Sequence, residues 1–200
     1  MIQVHSRLRT IVAVVLLGLA LSACGYNTIP TLEEQAKAKW ADVQAAYQRR
    51  LDTLPGIVNA ARAAGTHETN LQTGYAQARS GADSARITPD QLTDPQAMQR
   101  FAAAQQGVSA FIIRATQEAV PTNETAQNWR EVQSQIEGAN NRITIAIRDY
   151  NEKVRAYNTR IRTFPSVIGA RVIYGSRPMV PFEATAGANV APNLDFGNIQ

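Results

Sequence analysis

Between Trp129 and Phe164 one set of side chains recurs in alternating steps of four and three residues: Trp129, Gln133, Ile136, Asn140, Ile143, Ile147, Tyr150, Val154, Tyr157, Ile161 and Phe164. Such an alternation keeps a narrow stripe on one side of a helix, so the stretch predicts a long helix with a buried seam. Other helices must cover that seam, which makes this stretch the expected backbone of the molecule. Two further segments carry a comparable pattern. One is Trp40, Val43, Tyr47, Leu51, Leu54, Val58; the other is Met98, Phe101, Gln105, Val108, Ile112, Ala115, Ala119. The predicted fold class is therefore all-α, an antiparallel up-and-down helical bundle of long, heptad-patterned helices. An apolar share of 44% with only 6% aromatics suits such packing by aliphatic residues and alanine.

Punctuation along the chain sets the expected boundaries. Thr31, with Glu34 three positions on, has capping-box spacing and predicts the start of the first long helix. Pro55 is expected to kink that helix rather than end it, and Gly65 to bend it again, while Leu71, Tyr75 and Ala78 continue the pattern to Ser80. Thr31 to Ser80 is thus expected as one bent helix or two stacked ones. Residues 81–93 form a polar connector. Asp94 followed by Pro95 starts the next helix, which closes at Val120-Pro121, and Thr122, Asn123 or Thr125 caps the long helix. That helix is expected to end near Phe164-Pro165, because a residue preceding proline is pushed out of helical geometry. A short helix should follow through Val167, Ile168, Val172 and Tyr174. From Gly175 onward, recurrent proline and glycine predict an irregular tail pinned by Phe182 and Phe196. The expected organisation is a signal peptide over 1–23, a tether over 24–30, the bundle over 31–174 and the tail over 175–200.

The amino terminus carries His5, Arg7 and Arg9, an apolar run from Ile11 to Leu21, and then Leu21-Ser22-Ala23-Cys24. A basic region, a short apolar core and small residues before a break are the pattern of a secretory signal, and the run is short for a membrane span. Leu-Ser-Ala-Cys followed by Gly25 also resembles the bacterial lipobox. That resemblance implies cleavage before Cys24, diacylglycerol on its sulfur and an acyl group on its amine. Two or more acyl chains anchor a protein stably. The expected location is a membrane-anchored lipoprotein with its body outside the cytoplasm. Gly25 rather than aspartate after the cysteine favours the outer membrane in a host with two.

The formal charge of +4 falls to +2 once Arg7 and Arg9 are removed, so no nucleic-acid partner is expected. Acidic and basic residues appear interleaved along the helices, as on a solvated face. A single cysteine excludes an internal disulfide and any Cys-built metal site, and no cofactor is expected. His67-Glu68 lacks the second histidine of a metalloprotease helix. Asp149 and Glu152 lie among Arg148, Lys153 and Arg155 and read as surface ion pairing. Nothing resembles a phosphate loop or a nucleophile elbow. Tyr150 and Tyr157 sit at seam spacing and read as core, with hydroxyls that need Asn140, Asn151 or a backbone carbonyl. Arg49 and Arg50 with Arg160 and Arg162 form a candidate interaction face if the two long helices pack together.

Several blocks resemble the LemA family of bacterial helical membrane-associated proteins. They are Trp40 to Arg50 with Tyr47-Gln48-Arg49-Arg50, Leu54-Pro55, His67-Glu68, and Arg148-Asp149-Tyr150-Asn151 through Tyr157-Asn158-Thr159-Arg160-Ile161-Arg162-Thr163-Phe164-Pro165; Asp195-Phe196 resembles the family's ending. The Tyr-Asn pair repeated seven residues on, running into Thr-Phe-Pro, is the specific part. The chain departs from the family in two places. Thr53-Leu54-Pro55-Gly56-Ile57-Val58 stands where Leu-Ile-Pro-Asn-Leu-Val is usual, and a lipobox replaces the longer membrane segment of many relatives. The resemblance implies a helical bundle beyond an amino-terminal membrane anchor and no established enzymatic activity. The expected role is a non-enzymatic scaffold or adaptor for another envelope protein. The alternatives are an accessory enzyme built on His67, Glu68 and Asp149, or a bundle binding lipid or a small apolar ligand beside Tyr150 and Tyr157.

Overall fold

The computed structural model describes residues 27–66, 68–119, 122 and 125–183, with the side chain of Glu68 outside that set. The apolar patterns become five α-helices: α1 Thr28–Ala63, α2 Glu68–Ser84, α3 Pro95–Glu118, α4 Ala126–Arg160 and α5 Ser166–Val172, with a 3-10 turn at Pro89–Thr93. There is no strand among the described residues, so the fold is an all-α bundle. On α4 the seam from Trp129 to Ile161 is buried apart from a half-buried Gln133. On α3 every seam residue from Met98 to Ala119 is buried.

The most extensive packing is α1 against α4, and α1 also meets α2, α3 and the 3-10 turn. The central element is therefore α1, not the stretch around α4 that the sequence pattern placed there. The two helices run antiparallel. Trp40 meets Tyr150 at 5.0 Å between ring centroids. Buried residues from the first half of α1 cluster with the second half of α4, and the reverse holds beyond Leu51.

Four local expectations change. Helix α1 begins at Thr28, ahead of Thr31, whose hydroxyl donates to the Asn27 carbonyl at 2.7 Å rather than capping the helix. Pro55 lies within α1, but Gly65 ends the run. Gly65 adopts φ +83, while Thr66 N–H donates to the Ala61 carbonyl and Gly65 N–H to that of Arg62, both at 3.1 Å. This is the Schellman closure that a glycine just past a helix end permits. The chain then reverses, and α2 packs on α1 and α3 instead of extending α1. Gln44 Nε2 donates to the Ile87 carbonyl at 2.7 Å, which ties the far end of that return to the middle of α1. At the other end, α4 stops at Arg160, and Phe164 is 81% exposed rather than buried in the seam.

Asp94 caps α3 by accepting from Gln96 N–H at 2.8 Å, with Pro95 at the first helical position. Gly74 of α2 lies so near Phe111 of α3 that a Cβ there would fall 2.9 Å from Cδ2 of the ring. The missing side chain lets α2 and α3 approach at that point.

Candidate functional site

The densest long-range polar chemistry lies where residues after Gly175 cross the second half of α4. Asn158 Nδ2 donates to the Met179 carbonyl at 2.8 Å, and Met179 N–H donates to Asn158 Oδ1 at 2.9 Å. Asn151 repeats the arrangement with Phe182, Nδ2 to the carbonyl at 2.7 Å and N–H to Oδ1 at 2.8 Å. Each carboxamide thus satisfies both backbone groups of one residue, as a neighbouring strand would. Seven residues of helix advance ~10.5 Å at 1.5 Å each, and three residues of extended chain advance ~10 Å. That match allows two asparagines seven apart on α4 to hold residues three apart on the strap.

Between the clasps, Tyr150 donates its hydroxyl to the Val180 carbonyl at 2.8 Å. Val180 N–H donates to the Leu92 carbonyl at the same distance, which joins the strap to the 3-10 turn. Phe182 then enters a group of rings with Trp40, Tyr47 and Phe101, all edge-on at 5.2 to 6.3 Å, the geometry that aromatic quadrupoles favour. Burial pushes the Tyr47 phenol up to about 12 and raises the Tyr150 phenol further. These hydroxyls serve the interior as neutral groups.

A second polar layer lies ten residues along each long helix from the Trp40–Tyr150 contact. Arg50 is buried, and its Nη2 donates to Ser109 Oγ at 2.6 Å, while Ser109 Oγ donates to the Gln105 carbonyl at 3.0 Å. Burial lowers the Arg50 pKa from its usual value. Asn140 of α4 is buried at the same level. Its Oδ1 and Gln105 Oε1 accept no hydrogen bond among the described residues. This layer separates a core rich in aromatic rings from a mainly aliphatic one.

The family model for LemA matches residues 39–196, a span that includes both clasping asparagines and the residues they hold. The chain belongs to the LemA family. No curated protein matches it. LemA family proteins are membrane-associated. Among the described residues, no helix is long and apolar enough to cross a membrane, and no group of three or more His, Cys, Asp or Glu could hold a metal ion.

The remaining sequence candidates of this LemA family chain fall apart in space. Arg49 is exposed but Arg50 is interior, and Arg50 lies level with Asn140, about 30 Å of helix from Arg160 at ~1.5 Å per residue. Arg160 is half-buried and Arg162 exposed, so the four arginines do not form one face. Glu68 opens α2 at the far end of α1, whereas Asp149 lies near Lys39, a third of the way along it. His67, Cys24 and Asp195-Phe196 lie outside the described residues. Tyr150 and Tyr157 are buried in the aromatic core, at 0% and 2% exposure. Sequence reading missed the clasp, although the repeated Tyr-Asn pair was its visible signal.

Proposed function

We propose that this LemA family protein is an envelope lipoprotein, anchored through acylated Cys24, whose helical body is a non-enzymatic scaffold for another envelope protein. The supporting observation is where its polar chemistry goes. Asn151, Asn158 and Tyr150 hold the strap, Arg50 and Ser109 bridge α1 and α3, and Lys37 is raised in pKa by hydrogen bonds to Glu33 and Glu34. The outer faces of the long helices remain as the surface available to a partner. An outer-membrane location follows if the host has two membranes.

Two measurements test this reading. Intact mass of membrane-extracted protein should match a chain starting at Cys24 plus acyl groups, and Cys24→Ala should release the chain from the membrane. A photo-crosslinking residue in place of Ile145, exposed on α4, should capture one defined envelope protein in stoichiometric yield. An unacylated chain would remove the anchor, and a diffuse or absent crosslink from both Ile145 and Arg49 positions would remove the scaffold.

A further inference from the structure

Of the large apolar side chains exposed among the described residues, all but Ile145 fall within one short stretch. Phe164 is 81% exposed, Ile168 57%, Val172 80% and Ile173 56%. Val167 N–H donates to the Thr163 carbonyl at 2.9 Å and Ile168 N–H to that of Pro165 at 3.2 Å, so the chain is already wound ahead of α5. Ile168 and Val172 lie four residues apart on one side of α5, and Phe164 stands exposed in the turn that leads into it. The opposite side of α5 is anchored, with Ala170 in the aromatic core and Tyr174 packed against it. An amphipathic helix that buries one stripe and exposes another, larger one needs a second apolar medium.

Three features of the molecule identify that medium. The first is position. The antiparallel register that sets Trp40 beside Tyr150 carries Ile29 to the level of Ile161, so Phe164 and α5 lie at the end where α1 begins. The second is reach. Cys24 precedes Asn27 by three residues, and three residues span at most ~11 Å, so a lipid on Cys24 holds this end of the bundle against the bilayer. The third is charge. Between Glu152 and Glu183 the chain has Lys153, Arg155, Arg160, Arg162, Arg171 and Arg177 and not one acidic residue. The interleaving expected along the helices fails in this stretch. Arg162, Arg171 and Arg177 are exposed in the same stretch of chain as the apolar side chains. On the facing start of α1, Glu33 and Glu34 are both bridged by Lys37 at 2.8 and 2.9 Å.

We infer that α5 and the residues leading into it form a bilayer seat: Phe164, Ile168, Val172 and Ile173 enter the interface of the anchoring membrane while the flanking arginines meet anionic headgroups. This rests on the acylation of Cys24 and goes beyond it, because a lipid alone tethers the bundle without orienting it. The seat would stand the α1–α4 pair on its end. The strap clasped by Asn151 and Asn158 then lies on the membrane-facing half, and the Gly65 turn points away.

The test uses the full membrane-extracted chain with a single added cysteine, Ile168→Cys or Ile145→Cys, labelled with an environment-sensitive dye. It is reconstituted in vesicles of phosphatidylethanolamine and phosphatidylglycerol with or without brominated acyl chains. Dye stoichiometry reports the anchor separately: one dye per chain means Cys24 is blocked, and two means it is free and the lipoprotein reading fails. The seat predicts blue-shifted emission quenched by brominated lipid at Ile168→Cys and water-like, unquenched emission at Ile145→Cys. Water-like emission at both sites would overturn it. So would a blue shift at Ile168→Cys without bromine quenching, since another protein copy or the chain's own tail would then cover the patch. Arg162→Glu with Arg171→Glu and Arg177→Glu, all at exposed positions, should reduce the quenching. Quenching unchanged by this triple variant would overturn the headgroup contact.

Discussion

The two halves of the bundle are built from different materials on the same pair of long helices. On one side of the Arg50 layer the core is aromatic, with Trp40, Tyr47, Phe101, Tyr150 and Phe182, and it is closed by an irregular strap. On the other side it is mainly aliphatic, with Leu51, Leu54, Ile57, Ala60, Ala61, Ala78, Ala82 and Ala115 packed around only two buried rings, Trp129 and Phe111, and it is closed by the returning helix α2. A large ring fills space that a helix would otherwise occupy, so the aromatic half needs only a strap as its lid. Apart from Trp129 and Phe111 the side chains of that half are smaller, so a whole helix is brought close to fill it, as where Gly74 meets the Phe111 ring.

The strongest way to break this contrast is Phe182→Ala. Although Phe182 lies outside any helix, its removal is expected to cost about 3–5 kcal/mol, the usual range for deleting a buried aromatic, in urea unfolding followed by helical ellipticity. A loss under ~1 kcal/mol would mean that the strap detaches without disturbing the bundle. Next in size is Asn151→Asp, which keeps an acceptor for Phe182 N–H but turns a carboxylate towards the Phe182 carbonyl. A cost of about 1–3 kcal/mol is expected, together with faster protease cleavage between 176 and 183. If cleavage is no faster than in the parent chain, the carboxamide is not what holds the strap.

Glycine substitutions sharpen the comparison from the other half. Gly74→Ala should destabilise by about 1 kcal/mol, because the displaced Phe111 ring outweighs the better helix propensity. Gly138→Ala on α4, where a Cβ would meet nothing within 4 Å, should stabilise by about 0.5–1 kcal/mol. Equal shifts for the two in thermal unfolding would mean that α2 and α3 do not approach as closely as described. The smallest effect is one of pH. Tyr47 holds its proton up to about 12 when folded, while an unfolded tyrosine loses it near ~10. Between those values the unfolded state binds fewer protons, so stability falls with rising pH and is constant below ~10 as far as this group is concerned. Urea midpoints measured across that window should decline less steeply in Tyr47→Phe.

Which residues were legible beforehand follows the range of the interaction that places them. Met98 to Ala119 and most of Trp129 to Ile161 were readable as buried, because a helix repeats its inward face over a few residues. Asp94-Pro95 was readable as a helix start for the same reason. The turn at Gly65 had a signal, a glycine at the end of a periodic run, but Leu71, Tyr75 and Ala78 continued the period in phase and masked the reversal. Arg50 looked like one of a surface pair with Arg49. Adjacent residues on a helix point about 100° apart, and only the packing of α1 on α3 decided that Arg50 faces Ser109.

By itself, the sequence determined the helical class, the inward faces of α3 and α4, and membership of the LemA family, since all three rest on patterns local to the chain. Only the tertiary structure decided that α1 is the hub, that α2 turns back, and that the chain after Gly175 is a clasped strap. Asn151 and Phe182 are 31 residues apart, and the match between helix rise and strand rise that unites them appears only when the two segments lie side by side.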